Sequence, residues 1–236
     1  MDFYISIYTV YMIWMPTLKF KAVVLDMDGT LVDSSEAHLK AWSKAAEILG
    51  VYISEDKIRS EFGKSSYDMA KAFLPYNRVG DFIRFAELKD EIFMESCLNL
   101  VKPIMGVADA IKGFKAMNLK TAVASSNPRK LIIRVLDLTG LLNYVDVVIG
   151  AEDVKRGKPH PDIIEEAVKR LGVKPFEAIY VGDTIYDVEA GKAAGVFTVA
   201  VLTGAASREK LENSRPDMIV ENLKYLLEAL SRSGLT

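Results

Sequence analysis

Four short stretches carry groups that could act on a substrate: Asp26 and Asp28 in DMDG, Ser125 to Asn127 in SSN, Lys158 in GKPHPD, and Asp183 with Asp187 in GDTIYD. Carboxylates can attack, exchange protons or bind cations, hydroxyl and amide groups can hold an anion, and an ammonium can balance charge. Asp26 and Asp28 stand two apart where an apolar run ends, and Gly29 permits the sharp bend that lets both serve one site above it. Each stretch taken singly has a plainer explanation. Asp and Gly are ordinary turn residues, Ser and Asn cap helices, and a loop lysine is normally solvated. Convergence on one place would separate the two readings.

Convergence depends on the elements that carry these groups. Ala22–Leu25 is a short apolar, β-branched run that reads as a buried strand, and similar strands are predicted at 121–124, 145–149, 178–181, 197–202 and 218–220. Helical spacing separates most of them, as in Leu131, Val135 and Leu138 after Asn127-Pro128, or Ile164, Val168 and Leu171 before Gly172. Strands too apolar to face water on either side, alternating with helices, predict an α/β fold with a Rossmann-like parallel sheet covered on both faces. Functional groups in such sheets gather outside the carboxyl ends of the strands. Asp26 and Asp28 follow the first strand, Ser125, Ser126 and Asn127 the second, Lys158 lies beyond the third, and Asp183 follows the fourth. The four stretches therefore share one edge.

Residues 34–100 interrupt the alternation with helices alone. Ser35 can cap a helix with His38, Trp42, Ala45 and Leu49 on one stripe, closed by Gly50. Ser54, followed by Glu55 and Asp56, opens a second, and Ser65 with Asp68 has capping-box spacing for a third that Pro75 ends. A longer helix from about Val79 buries Phe82, Phe85, Ala86, Ile92, Phe93 and Cys97, while its acids and lysines read as the solvated side. The chain thus divides into an apolar extension at 1–18, a core made of 19–33 and 101–236, and an all-helical insert at 34–100.

Composition narrows the partners. With 236 residues, 50% of them apolar, the chain can bury a full core, and a net charge of −2 disfavours nucleic acid and anionic membrane. The single cysteine, Cys97, reads as a buried thiol, which fits a reducing, cytoplasmic setting. The extension MDFYISIYTVYMIWMP is too short for a membrane span and has Asp2 where a secretory signal needs basic residues. Its apolar side chains are expected to pack on the core or on a second subunit, as in a homodimer, away from the catalytic edge.

DMDGT at 26–30, SSN at 125–127, GKPHPD at 157–162 and GDTIYDVEAGKAAG at 182–195 come in an order that resembles the haloacid dehalogenase superfamily, on its phosphatase branch with a helical cap inserted after the first strand. The resemblance covers residues 19 to about 225. It implies that Asp26 takes the phosphoryl group as an aspartyl-phosphate, and that Asp28 protonates the leaving oxygen and later activates water. It also implies that magnesium is held by Asp26, the Asp28 carbonyl and Asp183, with Asp187 orienting its water. Ser125, Ser126 and Asn127 would bind the phosphoryl group, and Lys158 would balance charge on Asp26. The chemistry agrees, because four aspartates repel one another and a phosphate dianion unless a hard divalent cation joins them. Clustered Cys and His for zinc are absent.

A dehalogenase needs no second acid at the position of Asp28. A phosphoglucomutase-like enzyme is the closer alternative, since LVDSSEAHLKAW at 31–42 is similar to the cap entry of that subgroup. FGKSS at 62–66, however, has Ser66 where that subgroup typically carries an arginine to grip a second phosphate, although Lys64 could compensate. His38 and Lys64 are the cap residues expected to meet substrate. For His38, packing in the core beside Trp42 is the somewhat favoured placement. A cap over an open sheet edge implies a small, soluble phosphorylated metabolite.

Overall fold

The computed structural model describes residues 19–233, so the extension at 1–18 lies outside the described residues. The strands are β1 (Ala22–Leu25), β2 (Val32–Asp33), β3 (Lys102–Pro103), β4 (Lys120–Ala124), β5 (Val147–Ile149), β6 (Ala178–Gly182), β7 (Phe197–Val201) and β8 (Met218–Val220). Six of them form one parallel sheet in the order β5-β4-β1-β6-β7-β8. The α-helices are α1 (Ser35–Ile48), α2 (Glu55–Ser60), α3 (Ser66–Phe73), α4 (Phe82–Ile92), α5 (Val107–Ala116), α6 (Arg129–Leu138), α7 (Asp162–Leu171), α8 (Ile185–Ala194), α9 (Arg208–Ser214) and α10 (Leu223–Ser233).

The period of two in a strand explains the layers. Val23, Leu25, Val123, Ile179 and Val181 face a cluster with Ile111, Phe114, Leu131, Val135, Leu226 and Leu230 from α5, α6 and α10. Their neighbours Ala22, Val24, Ala122, Ala124 and Tyr180 face Ile164, Val168, Leu171 and Ala190 from α7 and α8. Burying each large aliphatic side chain stabilises by about 1.5–3 kcal/mol, so strands apolar on both sides draw helices onto both faces. Leu25 stands level with Val123 and Val181, which brings the chain out of the sheet at one height after β1, β4 and β6.

Helices α1–α4 enclose an apolar cluster of their own, with Trp42 edge-on to Phe73 and Phe85 at 5.0 Å from each. Ser54 and Ser65 cap α2 and α3 as expected, accepting from the Lys57 and Asp68 amides. The chain passes between sheet and inserted helices at 32–33 and 102–103, where β2 and β3 pair antiparallel, a link too short to show in periodicity.

Several local expectations shift. Ser35 is the first residue of α1, and Ser34 precedes it without capping, because its hydroxyl is used elsewhere. α4 starts at Phe82 rather than Val79, after a 3-10 turn over Tyr76–Asp81. β5 starts at Val147, since 142–144 form a 3-10 turn. Leu138 is half exposed, and α6 buries Leu131, Ile132, Val135 and Leu136 instead. Lys89 is not on a solvated side: it is buried, bonding Asp90 Oδ1 at 2.9 Å and Ser66 Oγ at 3.3 Å.

Candidate active site

Where β1 ends, Asp26 stays with the sheet, its amide donating to the Val181 carbonyl at 2.8 Å. The chain then turns sharply, with Gly29 at φ +73° and its amide donating to the Val32 carbonyl. A Cβ at Gly29 would collide with the Asp183 carboxyl, so the turn needs glycine for its conformation and for this close approach. The Thr203 hydroxyl donates to the Gly29 carbonyl at 2.6 Å and ties the turn to the loop after β7.

Lys158 is buried, and its ammonium donates to Asp26 Oδ1 at 2.6 Å and Asp187 Oδ1 at 2.7 Å. Asp187 also accepts from the Tyr180 hydroxyl at 2.6 Å and, on Oδ2, from the Thr184 amide at 3.0 Å and hydroxyl at 2.6 Å. The bond from the Thr184 amide and the reciprocal one from the Asp187 amide to Thr184 Oγ1 at 3.2 Å form the capping box that opens α8. Asp183 Oδ2 accepts from the Ala205 amide at 2.8 Å, while its buried Oδ1 has no partner. Asp26, Asp183 and Asp187 offer oxygens within 4.8 Å of one another.

Asp28 is held from three sides. Ser34 Oγ donates to its Oδ1, Asn127 Nδ2 to its Oδ2, and His38 Nε2 lies 3.2 Å from Oδ1. Asn127 Nδ2 also donates to Ser125 Oγ at 3.0 Å. Ser126, expected in the phosphoryl-binding set, directs its hydroxyl to the Gly63 carbonyl at 3.0 Å. Gly63 has φ +96°, and a Cβ there would stand 2.9 Å from Thr184. Lys64, expected to meet substrate, bonds Glu61 at 2.6 Å and lies 5.1 Å from the centre of the Tyr186 ring. His38 does not pack beside Trp42 in the core. Its ring stacks 4.5 Å from Phe93 and reaches Asp28, because it faces the sheet while Trp42 faces the inserted helices.

Burial sets the electrostatics. It pushes the Asp26 carboxyl up to about 7, with Lys158 opposing and Asp187 and Asp28 adding to the rise. Asp183 rises well above the ordinary range from burial and the nearby Asp187 and Asp26 carboxyls. Burial acts on Asp28 as well, but His38 and Ser34 outweigh it and hold that carboxyl at about 2. Lys158 is held well above its usual value because Asp187 and Asp26 overcome the penalty of burial. Over these groups is a cavity of about 50 Å³, floored by Asp26, Ser125 and Asp183 and roofed by His38, Phe62 and Lys89.

The match to known proteins follows this geometry. Residues 23–201 fit the family described as haloacid dehalogenase-like hydrolase. The chain belongs to the haloacid dehalogenase-like hydrolases. It is similar to relatives on the phosphatase branch of that family. Pyrophosphatase PpaX of Bacillus pumilus is 30% identical over 87% of this chain and 94% of its own length. Phosphoglycolate phosphatase of Escherichia coli O157:H7 is 26% identical over 89% and 92%. Among solved structures, β-phosphoglucomutase from Clostridium difficile shares the fold with a TM-score of 0.78 and 23% identity, over 92% of this chain and 100% of that one. Among the described residues of this haloacid dehalogenase-like chain, no helix is long and apolar enough to cross a membrane.

Sequence reasoning missed Ser34, Lys89, Tyr180 and Thr184 at this site. The Thr184 to Asp187 spacing is that of a capping box and was available as a signal. Of the other three, Ser34 stood beside the cap candidate Ser35, Lys89 read as a solvated lysine and Tyr180 as part of an apolar strand.

Proposed function

We propose that the chain is a magnesium-dependent phosphatase that hydrolyses a small phosphate monoester through an aspartyl-phosphate, with α1–α4 acting as a cap domain over the sheet edge. The observation that carries this reading is the imbalance at the floor: Asp26, Asp28, Asp183 and Asp187 against one buried ammonium, Lys158, with Asp183 Oδ1 unpartnered. A phosphate dianion would be repelled there unless a divalent cation joined it. The donors are all oxygen, which suits a hard ion. Asp26, Asp183 and the Asp28 carbonyl would hold magnesium, which supplies charge neutralisation for the transferring group. Asp187, with four protein donors already, has no lone pair left for direct coordination and serves as an anchor for Lys158.

In this reading the Asp26 carboxylate attacks phosphorus, the bond from phosphorus to the ester oxygen breaks, and Asp28 gives that oxygen a proton. Water then attacks the phosphorus of the aspartyl-phosphate while Asp28 takes its proton, releasing phosphate and restoring both residues. Asp28 enters as the carboxylate, so its proton is acquired on binding, when the dianion beside it raises its pKa by like charge. Lys158 and Ser125 hold phosphoryl oxygens, and His38 orients Asp28.

The mutase alternative needs cations on the cap to grip a second phosphate, yet Lys64 is paired with Glu61 and Lys89 with Asp90. Hydrolysis is therefore the preferred reading, in a cytoplasmic setting. The test is a panel of phosphorylated metabolites assayed for phosphate release with magnesium and again after chelation. Pyrophosphate and phosphoglycolate come first because of the relatives' names. Release that persists undiminished after chelation would rule out the metal-dependent mechanism.

A further inference from the structure

Tyr180 stands in the middle of β6, in the apolar layer between the sheet and α7 and α8. A phenylalanine would fill that layer, and a hydroxyl buried there costs free energy unless it is bonded. The hydroxyl bonds Asp187 Oδ1 at 2.6 Å, the same oxygen that Lys158 reaches at 2.7 Å. Thr184 supplies two donors to Oδ2, so the carboxylate has four donors for its four lone-pair sites and a single orientation. The Tyr180 ring cannot drift either. A Cβ at Gly191 on α8 would lie 3.2 Å from its Cδ1, so helix and ring are in close contact.

Lys158 completes the chain of constraint. An ammonium has three N–H donors at tetrahedral angles, and two are directed here at Asp187 and Asp26. Fixing two directions fixes the third, which is left for a ligand oxygen. We propose that Tyr180 is a positioning residue of the site, its hydroxyl holding Asp187 so that Lys158 stays on Asp26 with its third N–H aimed at a bound phosphoryl group. This role rests on the reading of Asp26 as the nucleophile.

The experiment is a double-mutant cycle on the full chain in magnesium buffer, with inorganic phosphate affinity measured by calorimetry for wild type, Tyr180→Phe, Lys158→Met and the double variant. Tyr180→Phe is expected to weaken phosphate binding about five- to tenfold and to lower kcat on p-nitrophenyl phosphate more than it raises KM. It should cost nothing further once Lys158 is gone. Equal losses in both backgrounds, or affinity unchanged within twofold, would overturn the proposal. If Lys158→Met leaves binding too weak to measure, Asp187→Asn takes its place in the cycle with the same expectations. Full turnover by Asp26→Asn would instead defeat the covalent reading while leaving the cycle readable. Non-additivity without wild-type turnover would support the positioning role alone.

Discussion

The Lys158 ammonium lies 2.6 Å from Asp26 Oδ1 across a separation of 132 residues, with both side chains almost wholly buried. A buried carboxylate with a buried ammonium as partner has one face committed and the other open toward the cavity. That arrangement suits a nucleophile better than a structural ion pair, which would have its remaining lone pairs satisfied. Asp26→Asn should therefore lower turnover by at least about a thousandfold while circular dichroism and thermal midpoint show an intact fold. Retention of most wild-type activity would exclude covalent catalysis at Asp26.

Asp26 also predicts a pH dependence of stability in the metal-free protein. Its carboxyl is held at about 7 against an ordinary 3.8. Between those values the folded protein keeps a proton that the unfolded chain releases. Stability from this residue therefore falls as pH rises through the window and changes no further above about 7. Urea melts in chelator should show wild type losing stability relative to Asp26→Asn between about pH 4.5 and 7, with magnesium flattening the trend. Parallel curves without metal would show that Asp26 titrates near its ordinary value.

Gly63 predicts how the cap seats. Its φ of +96° and the 2.9 Å from a built Cβ to Thr184 leave no room for alanine while its carbonyl takes the Ser126 hydroxyl. Gly63→Ala should reduce kcat/KM by roughly tenfold with little change in thermal midpoint, because the strain is relieved by lifting the loop. A midpoint drop with unchanged kinetics would mean that this contact only supports the fold.

Lys89 predicts a cost in stability. Its side chain is 2% exposed and paired with Asp90, which keeps 18% exposure. Lys89→Met leaves Asp90 without its ammonium and should destabilise by roughly 2–3 kcal/mol, at or below the usual range for a broken buried pair since Asp90 retains the Ser66 hydroxyl at 2.9 Å and contact with water. Adding Asp90→Asn should recover much of the loss. Denaturant unfolding of the three variants measures both effects, and no recovery in the double variant would mean that the pair is not coupled.

The sheet and the convergence of DMDG, SSN, GKP and GDTIYD on its edge were legible in the sequence because they follow from local rules. Apolar runs without polar alternation must be buried on both faces, parallel strands must leave the sheet at one end, and Ser54 and Ser65 cap helices through bonds three residues long. Helical spacing says which residues share a face. It does not say what lies opposite. The position of His38 on Asp28 and the seat of Ser126 on Gly63 depend on how the inserted helices meet the sheet edge. The burial of Lys89 and the pairing of Lys64 with Glu61 depend on how the inserted segment packs on itself, and the four donors around Asp187 on how Lys158, β6 and the start of α8 come together. Ser126 with Gly63, Lys158 with Asp187 and Lys89 with Ser66 join residues tens of positions apart, and Tyr180 with Asp187 joins a strand to the helix after it. Only the packed chain decides which donor each carboxylate receives.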